Sequence, residues 1–543
     1  MAKERAGKSQ DIVLKGGLIV DGTGGVPYTA TVLIKAGRIR RITNKPVRTT
    51  GVVIDCTGRV IAPGFIDVHS HLDWQVPLKG HDELKYPFLA QGITTVVAGT
   101  SGISAAGFRP GSTWKQKIAE IPLGAGLLSL QWESVEEYFG RLALSGASHN
   151  IAILAGHGTT RASIRGLESS PLHPYESKEL LWLLENAMDQ GARGVSLGLQ
   201  YEPAMHARPG ELLEVARLVK RKNKVLTMQP RACSALAPGY RIRAFGEPHN
   251  LIALREALDL ARVSGVRLQV SPFIFVGSRT WRTADKAVAM IDAAIADGVD
   301  VRFDICPYSC GASVIGVLLP TWFLARGASA YTEPASLRRL SRELRAVERR
   351  LGFGPADIQV TNTLDPDLAE YNGKFLHEIA RVRRLSPIES LIDIARRSGG
   401  RAMVLCHRYG TNRIAESLMR HPACLFMTDA WVERHGVQNP AAFGAFPRIL
   451  QMARDRRLLP LEDAVRKMTG AAAERFSLPG RGFLKEGCAA DITVFDWDKV
   501  QDNTTSRETD AAPAGIDYVF VNGRKIIGSG KKENPLNAGM PVL

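Results

Sequence analysis

Nowhere in these 543 residues does an apolar run come near the ~18 positions that a membrane-crossing helix needs. The opening Met1-Ala2-Lys3-Glu4-Arg5-Ala6-Gly7-Lys8 is charged and has no signal-peptide core, so a cytoplasmic protein with no membrane partner is expected. Cysteine is scarce. Seven residues, odd in number and scattered, exclude a disulfide framework and suit a reducing compartment. Internal repeats and low-complexity tracts are absent. Acidic residues fall short of basic ones, leaving a net charge of +16, and such a surplus raises nucleic acid as a partner. However, the basic residues are spread along the chain, and no RRM, helix-turn-helix or zinc-finger pattern accompanies them. The densest cluster, 337–350, also carries Glu343 and Glu348 at helical spacing, which reads as a solvated helix face. No nucleic-acid partner is expected.

What is present is a globular composition, 45% hydrophobic and 23% charged. The length allows roughly three domains, or one large α/β barrel with appendages. Residues 11–61 read as short strands punctuated by Gly and Asp turns: 11–14, 17–20, 31–34, 38–42 and 52–55. The far end repeats the style at 491–496 and 518–527. Two β-rich ends around a different middle suggest one small β domain built from both termini.

The middle alternates apolar strands with amphipathic helices, as a parallel sheet requires. The strands expected are 65–71, 94–99, 150–157, 194–199, 225–229, 267–271, 301–308 and 425–429; the helices include 180–189, 210–220, 251–263 and 284–296. Eight such strands fit a (β/α)8 barrel, in which chemistry gathers at the carboxyl ends of the strands. A doubly wound open sheet is the alternative, but no Gly-rich phosphate fingerprint follows the first strand. Residues 310–400 break the rhythm and read as a helix-rich insertion with a further strand at 402–407, placed where a lid belongs. The domains expected are therefore 1–62 and 480–543 for the two-ended β unit and 63–479 for the barrel, with the insertion at about 310–400.

His69, His71, His157, Gln229 and Asp429 all fall at expected strand ends. The first strand ends in Asp67-Val68-His69-Ser70-His71, and the i, i+2 spacing turns both imidazoles to one face. Spacing alone leaves a metal-binding pair and a packed core pair both open. Asp429 fits either a metal-binding general base or the N-cap of the helix that follows. Cys306 and Cys310 with His407 could form a separate zinc site, although C-x₃-C spacing is nonspecific and buried free thiols are the commoner outcome. Trp322 and Trp431 fit an apolar pocket or a core.

Several ordered motifs carry a resemblance. They are Gly64-Phe65-Ile66-Asp67-Val68-His69-Ser70-His71, Gly156-His157-Gly158-Thr159-Thr160-Arg161, Gly194-Val195-Ser196-Leu197-Gly198, Pro307-Tyr308, Thr428-Asp429, Gly444-Ala445-Phe446-Pro447-Arg448 and Ala489-Ala490-Asp491-Ile492. With these the chain resembles the amidohydrolase superfamily, and within it the N-acyl-D-amino-acid deacylase (D-aminoacylase) family. The resemblance implies an α/β fold, a (β/α)8 TIM-like barrel flanked by a small β-sandwich from both termini and a lid-like subdomain. It also implies metal-dependent hydrolysis, with Asp429 as metal ligand and general base.

The same resemblance exposes departures. Ser101 stands where the family's metal-binding cysteine is expected, Gln229 replaces the histidine ending strand five, and Pro272 replaces the one ending strand six. A hydroxyl, an amide oxygen and a proline are poor substitutes for a thiolate and two imidazoles. What remains is His69, His71 and Asp429, a set able to hold one divalent metal, expected to be zinc, with Gln229 or water completing the shell. The expected carboxylate-binding arginine aligns with Ala441, a lysine with Ile274 and a tyrosine with Cys306, so the family's usual carboxylate clamp is missing. Ser101, His157, Gln229, Arg231 and Tyr308 stay as candidate metal or substrate contacts.

The reading is a hydrolase that cleaves an amide, cyclic amide or ester of a small molecule with metal-activated water, and not a standard N-acyl-D-amino-acid deacylase. Two alternatives stay open: a decarboxylase, C–C lyase or isomerase on the same scaffold, and a binding protein without turnover. The oligomeric state is also open, a homo-oligomer included.

Overall fold

Strands buried on both faces can afford no polar side, which is why the central ones read as nearly continuous apolar runs. In the computed structural model, which describes residues 11–543 apart from 124–128, 238–239, 241–245, 325 and 534, these strands pair in parallel and in chain order. Phe65–Ser70, Ile93–Ala98 and Asn150–Ile153 form one ladder. Ala155–Gly156, Gly194–Gly198, Val225–Gln229, Arg267–Val270, Val301–Ile305 and Cys424–Phe426 form the next. The segment around Leu154 passes from one ladder to the other, its N–H bonding Ala98 at 2.8 Å. The last strand returns to the first: the Asp429 N–H reaches the His69 carbonyl at 3.0 Å. The Thr428 hydroxyl and N–H both donate to the Asp67 carboxylate, at 2.6 and 3.0 Å.

Two expected strands end three residues early, for different reasons. The seventh stops at Ile305, since Pro307 has no N–H for a ladder. The eighth is only Cys424–Phe426, because Thr428 spends its N–H on a side chain and Asp429 turns into the left-handed region, at φ 49°. The helices extend the expected ones to Pro174–Asp189, Pro209–Arg221 and His249–Ser264, and Ala284–Ala296 ends where the pattern does.

The two ends of the chain meet in one nine-stranded sheet. Its N-terminal strands are Ile12–Ile19, Tyr28–Lys35, Arg38–Thr43, Val52–Asp55 and Val60–Pro63; the last pairs with Ile492–Phe495 from the C-terminal part. The sheet's Arg38–Thr43 edge bends back toward that part, with the Ile39 N–H on the Cys488 carbonyl at 3.0 Å. Residues 11–20, read as two strands, are one strand with a bulge between Leu14 and Gly17, where Gly16 takes φ 71°. Residues 518–527 are instead two strands, Ile516–Val521 and Arg524–Gly528, joined at Asn522-Gly523. Both turn residues have positive φ, which suits a two-residue hairpin. Residues 1–8, on which the signal-peptide reading rests, lie outside the described residues. Among those described, no helix is long and apolar enough to cross a membrane.

The segment from Cys310 to His407, expected as an insertion, has a core of its own. Cys310–Val314, Met403–His407 and Ile358–Asn362 form an antiparallel sheet, so it runs past residue 400. Leu340, Val360, Leu376 and Leu391 pack together within it. Helix Pro334–Leu351 buries Leu340 and exposes Arg338, Arg339, Arg342 and Arg345, the solvated face that the Arg/Glu pattern indicates.

Candidate metal centre

The first and last strands deliver three donors to one point. His69 Nε2 lies 3.3 Å and His71 Nε2 3.4 Å from the same Asp429 oxygen, Oδ1. One ligand atom from each of the three lies within 4.8 Å of the others, the only such group of three or more among the described residues. His69 is fully buried, His71 nearly so, and Asp429 is partly open. The left-handed backbone at Asp429 turns its carboxylate back over the strand end, a local cost that the seam bonds to His69 and Asp67 hold in place.

Electrostatics bind the group further. Burial works against charge on His69, but the Asp429 carboxylate outweighs it and raises that imidazole. Burial leaves His71 lowered, with the neighbouring His69 adding to the effect. Burial would also raise Asp429, yet the two imidazoles reverse it and hold the carboxyl well below the usual carboxylate range.

Behind His69 stands a support invisible to motif reading. Its Nδ1 lies 2.7 Å from Ser271 Oγ, and Ser271 stands beside Asp304. Asp304 is fully buried, accepts from Gln269 Nε2 at 2.8 Å, and is pushed up to about 7 by burial. A His69 that donates Nδ1–H to Ser271 would present its Nε2 lone pair to a cation held between it and Asp429. Asp67, likewise pushed up to about 7 by burial, is the seam acceptor.

Ser101 Oγ sits 3.2 Å from His69 Nε2, so this candidate joins the centre. It too has a left-handed backbone, φ 53°, in a loop pressed against the strand Gly194–Gly198. A Cβ at Gly198 would stand 1.8 Å from the Ser101 carbonyl, which explains a glycine there. Gln229 ends its strand buried, its Nε2 donating to Tyr201 Oη at 3.3 Å while its Oε1 has no hydrogen-bond partner. An amide oxygen left bare in a buried setting suits a ligand or a water, and with two imidazoles and a carboxylate the donor set fits a divalent cation.

The other candidates are engaged elsewhere. His157 Nε2 pairs with Glu211 at 2.8 Å, and Arg161 shares the same Glu211 oxygen at 3.3 Å. Arg231 borders the adjoining cavity, but its guanidinium is held by Glu256 at 3.3 Å and by the Met205 and Ala207 carbonyls. Tyr308 donates its hydroxyl to Asp502 at 2.7 Å, under Arg448. Cys306 and Cys310 are free thiols, and His407 bonds Gln359. Trp431 stands edge-on to His71 at 5.6 Å, whereas Trp322 lies in the insertion, stacked under Arg339. Tyr201, which no motif singled out, lines the cavity beside Gln229. That cavity, ≈ 690 Å³, runs from Ser101 to the insertion.

Comparison with known proteins defines the class. Residues 334–527 match the amidohydrolase family. An N-acyl-D-glutamate deacylase of Alcaligenes xylosoxydans xylosoxydans is 30% identical over 528 residues, 94% of this chain and 93% of its own. A D-aminoacylase of the same organism is 30% identical over 522 residues, 95% and 94% of the two chains. Among solved structures, N-acyl-D-glutamate deacylase from Bordetella bronchiseptica, complexed with zinc and a phosphonate inhibitor, superposes with a TM-score of 0.80 at 27% identity, covering 98% of this chain and 99% of that one. A D-hydantoinase shares the fold, at TM-score 0.56. The chain belongs to the amidohydrolase superfamily, as a D-aminoacylase-like member, and is a hydrolase of that class.

Proposed function

We propose that this enzyme hydrolyses a C–N bond, in an amide or cyclic amide, or an ester, of a small molecule that is not a standard N-acyl-D-amino acid. The observation that carries the reading is the convergence of His69 Nε2, His71 Nε2 and Asp429 Oδ1. We read the parallel strands as a closed (β/α)8 barrel at residues 63–479, with the insertion from about 310, and the terminal segments 1–62 and 480–543 as a β-sandwich. The three donors then sit at the carboxyl end of the barrel.

His69, His71 and Asp429 would hold one divalent cation, zinc by choice of donors, with the Gln229 amide oxygen and Ser101 hydroxyl nearest to complete the shell. Such a cation supplies a Lewis acid for the scissile carbonyl and makes water a stronger acid. Asp429, held ionised by its two imidazoles, takes a proton from the attacking water and returns it to the departing nitrogen or oxygen. Ser271 and Asp304 keep His69 in the tautomer that leaves Nε2 free. A solved D-aminoacylase is described as binuclear, with one-metal activation and second-metal attenuation, so a single occupied site has a precedent among relatives.

The test is Asp429→Asn on a substrate found by screening amides, cyclic amides and esters. Turnover is expected to fall by at least about a hundredfold, with ¹⁸O from labelled water appearing in the product of the wild type. Full turnover by the variant would remove Asp429 from the chemistry. Product without label would favour the non-hydrolytic alternative.

A further inference from the structure

Ser101, 3.2 Å from His69, borders an apolar space much larger than a small acyl group needs. Beyond Ser101 and Tyr201 the ≈ 690 Å³ cavity is walled mainly by aliphatic side chains from the strand-end loops and the insertion. A second cavity of ≈ 430 Å³ adjoins it and shares Leu236, Ala237, Val317, Leu319 and Pro320 with the first. This second chamber lies between helix Pro334–Leu351, the 3-10 turn Ile315–Leu318 and the segment that carries Leu236, Ala237 and Tyr240.

Three side chains make the pattern specific. Val317, Leu324 and Val347 are large apolar residues of the insertion left 60%, 42% and 38% exposed. All three border these chambers: Val317 both, Leu324 the first and Val347 the second. Exposed apolar side chains gathered around one space mark a binding surface more than chance exposure does. The lining carries two carboxylates, Glu202, half exposed beside His206, and Glu343, held by Trp322 and Arg339. Its one guanidinium among the described residues, Arg231, is already occupied by Glu256 and two backbone carbonyls.

From this geometry we infer that the substrate carries an extended, uncharged alkyl chain on its acyl side, which fills the first chamber and reaches the second. The inference rests on the proposed hydrolysis only for where the carbonyl lies, beside His69, His71 and Asp429. The chain itself is selected by the two chambers. Val317 and Val347 are then specificity-determining residues, and the insertion is the part of the protein that measures chain length.

The test separates binding from turnover. Methyl ketones from butan-2-one to dodecan-2-one present the same carbonyl and chain but cannot be hydrolysed, and they are titrated into the purified full-length enzyme. Affinity should rise by about fourfold per methylene, the transfer value for a buried CH₂, until the chambers are full. Val347→Asp and, separately, Val317→Asp, both at exposed positions, should cut the ratio of longest-chain to shorter-chain affinity by at least about tenfold. The matching N-methyl alkanamides, turned over by the wild type, should show the same rise in kcat/KM. A ketone series with flat affinity, or a ratio unmoved in both variants, would overturn the inference. A rising ketone series with no turnover of any amide would leave the chambers assigned and count against the proposed hydrolysis.

Discussion

Replacing Ser271 with alanine removes one oxygen and strands one buried nitrogen. His69 Nδ1 loses its 2.7 Å partner, whereas Asp304 keeps its 2.8 Å bond from Gln269. Both residues are fully buried, and Ser271 itself is 2% exposed, so water has little room to substitute. Leaving a buried polar group unpaired costs about 1 to 3 kcal/mol, and that loss should appear as reduced stability of the metal-free protein in urea. The larger consequence is at the centre. Without the Ser271 oxygen nothing fixes the proton on Nδ1, and the imidazole is free to place it on Nε2, the atom that must face the cation. Loss of such an orienting partner lowers metal affinity by about ten- to hundredfold. Competition with a chromophoric chelator for zinc measures it directly. Zinc affinity equal to the wild type, alongside the expected loss of stability, would refute the claim that Ser271 sets the His69 tautomer and leave it a packing residue.

Two further substitutions probe the frame around the centre. Thr428→Val deletes the 2.6 Å bond to Asp67 at the seam between last and first strands, and should cost about 1 to 3 kcal/mol in urea unfolding; a loss below about 0.5 kcal/mol would show that the seam does not depend on this bond. His149 is pushed down to about 3 by burial, with nearby Lys85 adding to it. The unfolded state therefore binds a proton that the folded state refuses between about pH 6.5 and 3, and stability falls as pH drops through that window. His149→Phe, next to Phe88, should move the acid-unfolding midpoint to lower pH; an unchanged midpoint would mean His149 does not titrate with unfolding.

The alternating architecture was legible because its signals are local. Buried parallel strands and amphipathic helices each write a period into neighbouring residues, and His69-Ser70-His71 needs only one strand to align its rings. Ser101 could be placed beside His69 through the family resemblance, and the geometry puts its oxygen 3.2 Å away. What stayed hidden depends on partners far apart in the chain. Ser271 lies 202 residues from His69, and Glu211, which occupies His157, lies 54 away. Arg231 looked available because nothing in its neighbourhood announces Glu256, 25 positions on. The eighth strand was overextended because apolar character continues through Met427, whereas the backbone at Asp429 adopts a conformation that no hydropathy pattern encodes.

The claim on which all of this turns is that His69, His71 and Asp429 hold a metal. Elemental analysis of protein purified without chelators or a metal-binding tag tests it, with His69→Ala/His71→Ala as the comparison. About one equivalent of divalent metal per wild-type chain is expected, zinc foremost, and near none in the double variant. A wild-type protein that is catalytically active yet carries no stoichiometric metal would contradict it.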